Sequence, residues 1–189
     1  MPIDYQFLSP TDRQRKPERK RADPWIKAFL HRSLIGHVGH ISGGQPFVTP
    51  TNFWYDEANH RIIFHSNVTG RTQSNLEHQP QVCFETSEYG RFLPSNAALE
   101  FSIQYRSVMV FGKVHRVTDP DEQKRVLAAM ISKYFPDMRA GHEYRPVTNN
   151  ELERTLVYAI QIDSWSGKEN WKDKADQVSD WPPLPDGGQ

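Results

Sequence analysis

The chain has 189 residues, 23 lysines and arginines against 23 aspartates and glutamates, and a single cysteine, Cys83. That length suits one domain with a sizeable core, and the zero net charge gives no global pull toward nucleic acid or an acidic membrane surface. One cysteine excludes an intrachain disulfide and a multi-cysteine metal site, and no apolar run approaches the ~20 residues that cross a bilayer. With no apolar leader at the N-terminus, the expectation is a soluble, cytoplasmic protein without nucleic-acid or membrane partners.

Residues 1–22 are polar and carry the basic run RQRKPERKR, which predicts a flexible, solvated arm. Asp23 and Pro24 supply an N-cap and a first-turn proline for a short helix ending at His31. Three strands are predicted over residues 35–41, 46–55 and 60–66, separated by the turn signals SGGQ and DEAN. A helix over 70–78 and a strand over 81–88 follow, then a loop over 89–98. Residues 101–117 form a long β-rich run with Val108, Val110 and Val114 on alternate positions. Asp119 and Pro120 start the clearest helix, with its apolar stripe at Val126, Leu127, Met130, Ile131 and Tyr134, ending before Pro136. A last strand over 155–162 alternates Leu156, Tyr158, Ile160 and Ile162. The body thus spans residues 23–171, and residues 172–189, rich in charge and proline, predict an irregular tail. Six or so strands with few short helices indicate a mostly-β protein built as a small antiparallel barrel.

The most informative stretch is RIIFHSNVTGRTQSNLEHQPQVCF, from Arg61 to Phe84. A strand ends in His65 and Ser66, and after a short turn Gly70 and Arg71 open a helix. Hydroxyls, an arginine fork and free backbone N–H groups at a helix start make a site for one phosphate, with Ser66, Arg71 and Thr72 as its candidate ligands. A cation at the positive end of a helix is unfavourable alone and makes sense beside an anion. Upstream, VTPTNFWYD departs from plain alternation, and Pro50 predicts a bulge or an edge with exposed backbone groups. His37 and His40 fall on opposite faces of one strand, so no metal pair is expected, and Cys83 reads as a buried core thiol.

The order strand, hydroxyls, Gly-Arg, helix, proline, strand resembles the FMN-binding split-barrel superfamily of pyridoxamine 5'-phosphate oxidase. The resemblance implies a split β-barrel whose flavin lies along Thr49, Pro50, Thr51, Asn52 and Phe53. The run YRSVMVFGKVHRV resembles the strand that reaches the flavin across a dimer interface, which implies roles for Arg106 and Ser107. The run WSGKEN resembles the oxidase's WxGGEN element, whose tryptophan packs by the cofactor, and Trp165 takes that place. Two departures argue against pyridoxamine phosphate oxidation. WKDKA stands where the oxidase has an arginine-rich stretch, and Thr72 stands where it has a lysine. The pattern is closer to the nitroimidazole-resistance and flavin-nucleotide-binding branch. That branch implies a homodimer with FMN in two interfacial clefts, passing electrons from a reduced nicotinamide to a small aromatic or nitro acceptor. His65, at the flavin edge, reads as a hydrogen-bond donor or proton shuttle in catalysis and equally as a structural histidine. Two alternatives stand beside this reading. They are a non-catalytic flavin or haem binder and a deazaflavin-dependent reductase.

Overall fold

A computed structural model describes residues 5–185, so the outermost residues of the arm and tail lie outside the described residues. Eight strands run in chain order: β1 (Lys20–Arg21), β2 (Ile35–Ser42), β3 (Gln45–Asn52), β4 (Trp54–Asp56), β5 (Arg61–Asn67), β6 (Gln81–Leu93), β7 (Ser102–Val117) and β8 (Thr155–Asn170). Four α-helices accompany them: α1 (Asp23–Arg32), α2 (Arg71–His78), α3 (Pro120–Tyr134) and α4 (Asn149–Leu152). The strands form one antiparallel sheet in the order β3-β2-β6-β7-β8-β5-β4, with β1 added beside β8. The sheet curls but does not close, because β3 and β4 are consecutive in the chain yet end opposite edges. It is a split barrel.

Two apolar layers hold it. Inside the curl lie Val38, Phe53, Ile62, Phe64, Phe84, Val108, Val110 and Ile160, with α1 contributing Ile26, Phe29 and Leu30. On the outer face Ile63, Val157 and Ala159 meet Val126 and Met130 of α3. Residues 156–160 are therefore buried on both sides, the mark of a central strand.

Several elements run further than the sequence suggests. Residues 89–93 continue β6 instead of forming a loop, because Gly90 and Arg91 make a bulge and not a turn. The last strand extends to Asn170 through a second irregularity, where Asp163 is left unpaired between Ile162 and Ser164. Gly112 faces that bulge, and a Cβ on it would stand 2.0 Å from the Gln161 carbonyl oxygen. Asp23 is the first helical residue of α1 and not its N-cap, which is Ala22. The predicted strand over 46–55 is cut at Phe53, where the chain leaves β3 for β4. At that break the Phe53 N–H donates to Tyr134 Oη at 2.8 Å, and Lys133 Nζ donates to the Phe53 carbonyl at 3.0 Å. The basic arm is tied down at its end, since β1 pairs with Lys168 and Gly167 and Arg19 donates to Tyr105 Oη at 3.1 Å. The tail stays irregular but docks on residues 94–97, with Ser95 Oγ donating to the Asp176 carbonyl at 2.7 Å.

Where β4, β5 and α3 meet, a charged knot sits at the sheet edge. Asp56, with its side chain 3% exposed, accepts from Asn59, Arg61 and Arg125, and the two arginines also hold Glu122. Burial pushes the Asp56 carboxyl up, but hydrogen bonds from Asn59, Arg61 and Arg125 outweigh it and leave it below its ordinary value. Glu122 is drawn down to about 2, first by the Arg125 hydrogen bond. Carboxylates depressed in the fold stabilise it above their unfolded values and lose that contribution as the pH falls toward the folded ones. Asp56→Asn should cost about 2–3 kcal/mol at pH 7, since it leaves two arginines short of a buried acceptor. Denaturation midpoints of both proteins should converge as the pH falls below the ordinary aspartate range and through the lowered titration of Asp56. A gap independent of pH would show that packing, and not charge, is what the substitution removes.

Candidate functional site

Strand β3 has one neighbour, β2, so its other edge meets no strand among the described residues. Its two prolines show which groups face that edge. A proline cannot donate to the ladder, so Pro46 and Pro50 must turn their nitrogens away from β2. In an antiparallel strand the N–H and C=O of one residue point the same way. The N–H groups of Val48 and Asn52 and the carbonyls of residues 46, 48, 50 and 52 are therefore presented along the open edge. Thr51 Oγ1 and Gln45 Nε2 already reach the carbonyls of Asn52 and Pro46 from their own chain.

The open edge runs toward α2. Gly70, at φ 139°, is the N-cap of that helix, a backbone conformation that side chains rarely adopt. The first turn of α2 has no side-chain cap and no acidic residue, so its positive end is uncompensated. Arg71 sits there, exposed, and makes no hydrogen bond or ion pair among the described residues. Its guanidinium lies 5.1 Å over the Phe47 ring, which stacks on His40 at 5.7 Å. Behind this pillar runs a line of hydrogen bonds. Asn75 Nδ2 meets His40 Nδ1 at 3.0 Å, His40 Nε2 meets Thr49 Oγ1 at 3.1 Å, and Thr49 Oγ1 meets Thr72 Oγ1 at 3.2 Å. Burial lowers the His40 pKa, so the ring is neutral at pH 7.

Of the residues expected from sequence, Thr49, Arg71 and Thr72 are brought together. Phe47, His40 and Asn75 belong with them and were missed. Phe47 could have been found as the position two before Thr49, on the same face of β3. His40 and Asn75 carry no local signal, since only the packing of α2 on β2 joins them. Ser66 lies at the end of β5, its hydroxyl turned back to the Asn67 carbonyl. His65 and Asn52 face the outer side of the sheet, at the mouth of a cleft of about 450 Å³ walled by Leu127, Ile131, Phe135 and Val147. Burial lowers the His65 pKa as well.

Four expected contacts lie away from the Arg71 site. Phe53 is fully buried and its backbone N–H and C=O are both taken at the strand break, so it offers nothing to a ligand. Arg106 is clamped by Glu88 and Glu169 and lies 3.8 Å over the Trp171 ring. Glu88 stands three residues past the Glu85 that pairs His37, and His40 lies three residues the other way, so about 20 Å of strand separates Arg106 from the Arg71 site of the same chain, and the expected contact is one with a second copy. Trp165 faces inward against Tyr55 and His60, with its Nε1 donating to Asp23 at 2.9 Å, so it anchors α1. Ser107 faces outward on β7, opposite Ser87 and Lys168. Among the described residues no group of three or more His, Cys, Asp or Glu is placed to hold a metal ion, and no helix is long and apolar enough to cross a membrane.

Comparison with known proteins agrees with this fold. No curated protein matches the chain. Among solved structures, a flavocytochrome of Azotobacter vinelandii superposes with a TM-score of 0.79 at 26% identity, covering 95% of this chain and 89% of its own. A FAD and haem binding protein of Mycobacterium smegmatis gives 0.69 at 23% identity, covering 84% of this chain and 77% of its own. A candidate 5-nitroimidazole antibiotic resistance protein of Bacteroides thetaiotaomicron gives 0.67 at 22%, covering 79% of this chain and 84% of its own. A sequence profile described as pyridoxamine 5'-phosphate oxidase matches residues 24–169, from α1 through the end of β8. The chain, with its open split barrel and its Gly-Arg helix start beside an edge strand, belongs to the pyridoxamine 5'-phosphate oxidase family.

Proposed function

We propose that this protein binds FMN across the β3 edge and the start of α2, and serves as an FMN-dependent oxidoreductase acting on a small acceptor. The observation that carries the reading is Arg71, an uncompensated cation at an uncapped, acid-free helix start. A phosphate there would satisfy the first-turn N–H groups, the guanidinium and the Thr72 hydroxyl together. The free N–H and C=O groups of β3 alternate donors and acceptors, as the pyrimidine edge of a flavin requires. Family membership and the 26% identical flavocytochrome support a flavin. Bound there, FMN would take hydride from a reduced nicotinamide and pass electrons on. The chain's part is to orient the ring through Thr49, Pro50, Thr51 and Asn52 and to hold the phosphate through Ser66, Arg71 and Thr72. His65 would donate a hydrogen bond to an acceptor entering the cleft beside it. Phe53 and Trp165 take no part in this proposal, and Arg106, beside Ser107, would reach the flavin of a second copy.

The same reading includes a homodimer. The outer face of β2, β6 and β7 exposes Ile35, Ile41 and Met109, with Val48 on the neighbouring edge strand. Ser107 lies on that face, and a second copy applied about a two-fold axis would cover it. A haem-binding reading is favoured by one observation, the imidazole of His65 at the mouth of a cleft walled on one side by Leu127, Ile131, Phe135 and Val147.

Three measurements test the proposal. Denatured protein should release FMN; FAD alone, or a Soret band from haem in the purified protein, would replace the FMN reading. Arg71→Ala should weaken FMN binding ten- to hundredfold, from the loss of about 1.5–3 kcal/mol of charge-assisted bonding, with the fold unchanged. Unaltered affinity in a fluorescence titration would return Arg71 to a surface charge. Ser107→Trp should reduce dimerisation and flavin content together, because the overpacked contact occurs twice per dimer. A sedimenting monomer with full flavin occupancy would place the site within one chain.

A further inference from the structure

Resting on the phosphate site proposed above, we infer that His40 is a positioning residue that sets the direction of the Asn75–His40–Thr49–Thr72 hydrogen-bond line, so that Thr72 presents a hydrogen and not a lone pair to the bound phosphate. His40 touches no ligand in this scheme. It acts through two hydroxyls.

A neutral imidazole has one N–H and one bare nitrogen, so it must donate on one side and accept on the other. Burial keeps His40 in that neutral form. The Asn75 amide nitrogen, 3.0 Å from Nδ1, can only donate, which places the ring hydrogen on Nε2. Nε2–H then donates to Thr49 Oγ1 at 3.1 Å. Thr49 has a single hydroxyl hydrogen, free to go to Thr72 Oγ1 at 3.2 Å. Thr72, having accepted on that side, has its own hydrogen left for the helix start where Arg71 stands. The reverse order would turn a lone pair toward an anion and weaken the site. Breaking either link at His40 leaves a buried polar atom without its partner, which favours one arrangement of the line. His40 and Asn75 are both buried, which keeps water from supplying an alternative partner.

The test compares FMN with riboflavin, which has the same ring and no phosphate. In fluorescence titrations of the full chain, His40→Leu should weaken FMN about tenfold and leave riboflavin within about twofold, the size expected for weakening one hydrogen bond to a charged group. A variant that loses both ligands equally would make the line a packing feature only, and one that keeps the wild-type preference would remove the inference while the phosphate site stands. A wild type that binds both ligands alike would remove the phosphate site and this inference with it. Nitrogen NMR of the unsubstituted protein provides a second measurement that requires no variant to fold. His40 should show its hydrogen on Nε2, and a hydrogen on Nδ1 would overturn the scheme.

Discussion

The break at Phe53 is the constraint on which the rest depends. A barrel closes when each strand continues into the next, and here β3 and β4 would be one strand had the chain not turned out of the sheet between them. Such a break exposes backbone groups that the ladder would have paired, at about 1–3 kcal/mol for each one left buried and unsatisfied. Two neighbouring residues of α3 satisfy them. Tyr134 Oη accepts from the Phe53 N–H and lies 2.6 Å from the Leu34 carbonyl, to which it donates, while Lys133 Nζ reaches the carbonyls of Phe53 and Leu30 at 3.0 and 3.4 Å. Burial pushes the Lys133 ammonium down to about 8. The Phe53 ring meanwhile fills the core edge-on to Phe84 at 4.8 Å. Sealed this way, the break leaves β3 as a free edge, and the free edge is what the candidate site is made of.

The site sets an exposed cation in front of a buried neutral line. Arg71 reaches solvent, where the positive helix end disfavours it and the Phe47 face partly compensates. Behind it, the polar groups from Asn75 to Thr72 carry no charge, so their burial requires pairing and no ion. One side of the arrangement is thus rigid and uncharged, and the other positively charged and open.

The opposite end of the barrel is built on charge instead. Glu88 and Glu169 hold Arg106, while Arg21 and Arg32 close the set around them. Arg106, flat on Trp171, supports the crossing of β1, β7 and the tail. Trp165 and Asp23 belong to the same end by fastening α1 across the core. These residues maintain the shape of the barrel, which separates them from the Arg71 end.

Periodicity and punctuation alone settle much of this protein. Alternating Leu156, Tyr158, Ile160 and Ile162 mark a core strand, Asp119 and Pro120 start α3, and the Gly70–Arg71 pair starts α2 where expected. These signals are local, so they survive without a fold around them. The placement of Trp165 does not. A bulge at Asp163 shifts the inward face of β8 from even to odd positions, and a motif carried over by order in the chain cannot register that change. Phe53 reads as one more strand residue until Tyr134, eighty-one positions away, takes its N–H. His40 and Asn75, thirty-five residues apart, become partners only when α2 packs on β2. Local backbone preference is written in neighbouring residues, whereas a hydrogen bond between distant segments exists only once the chain between them has folded.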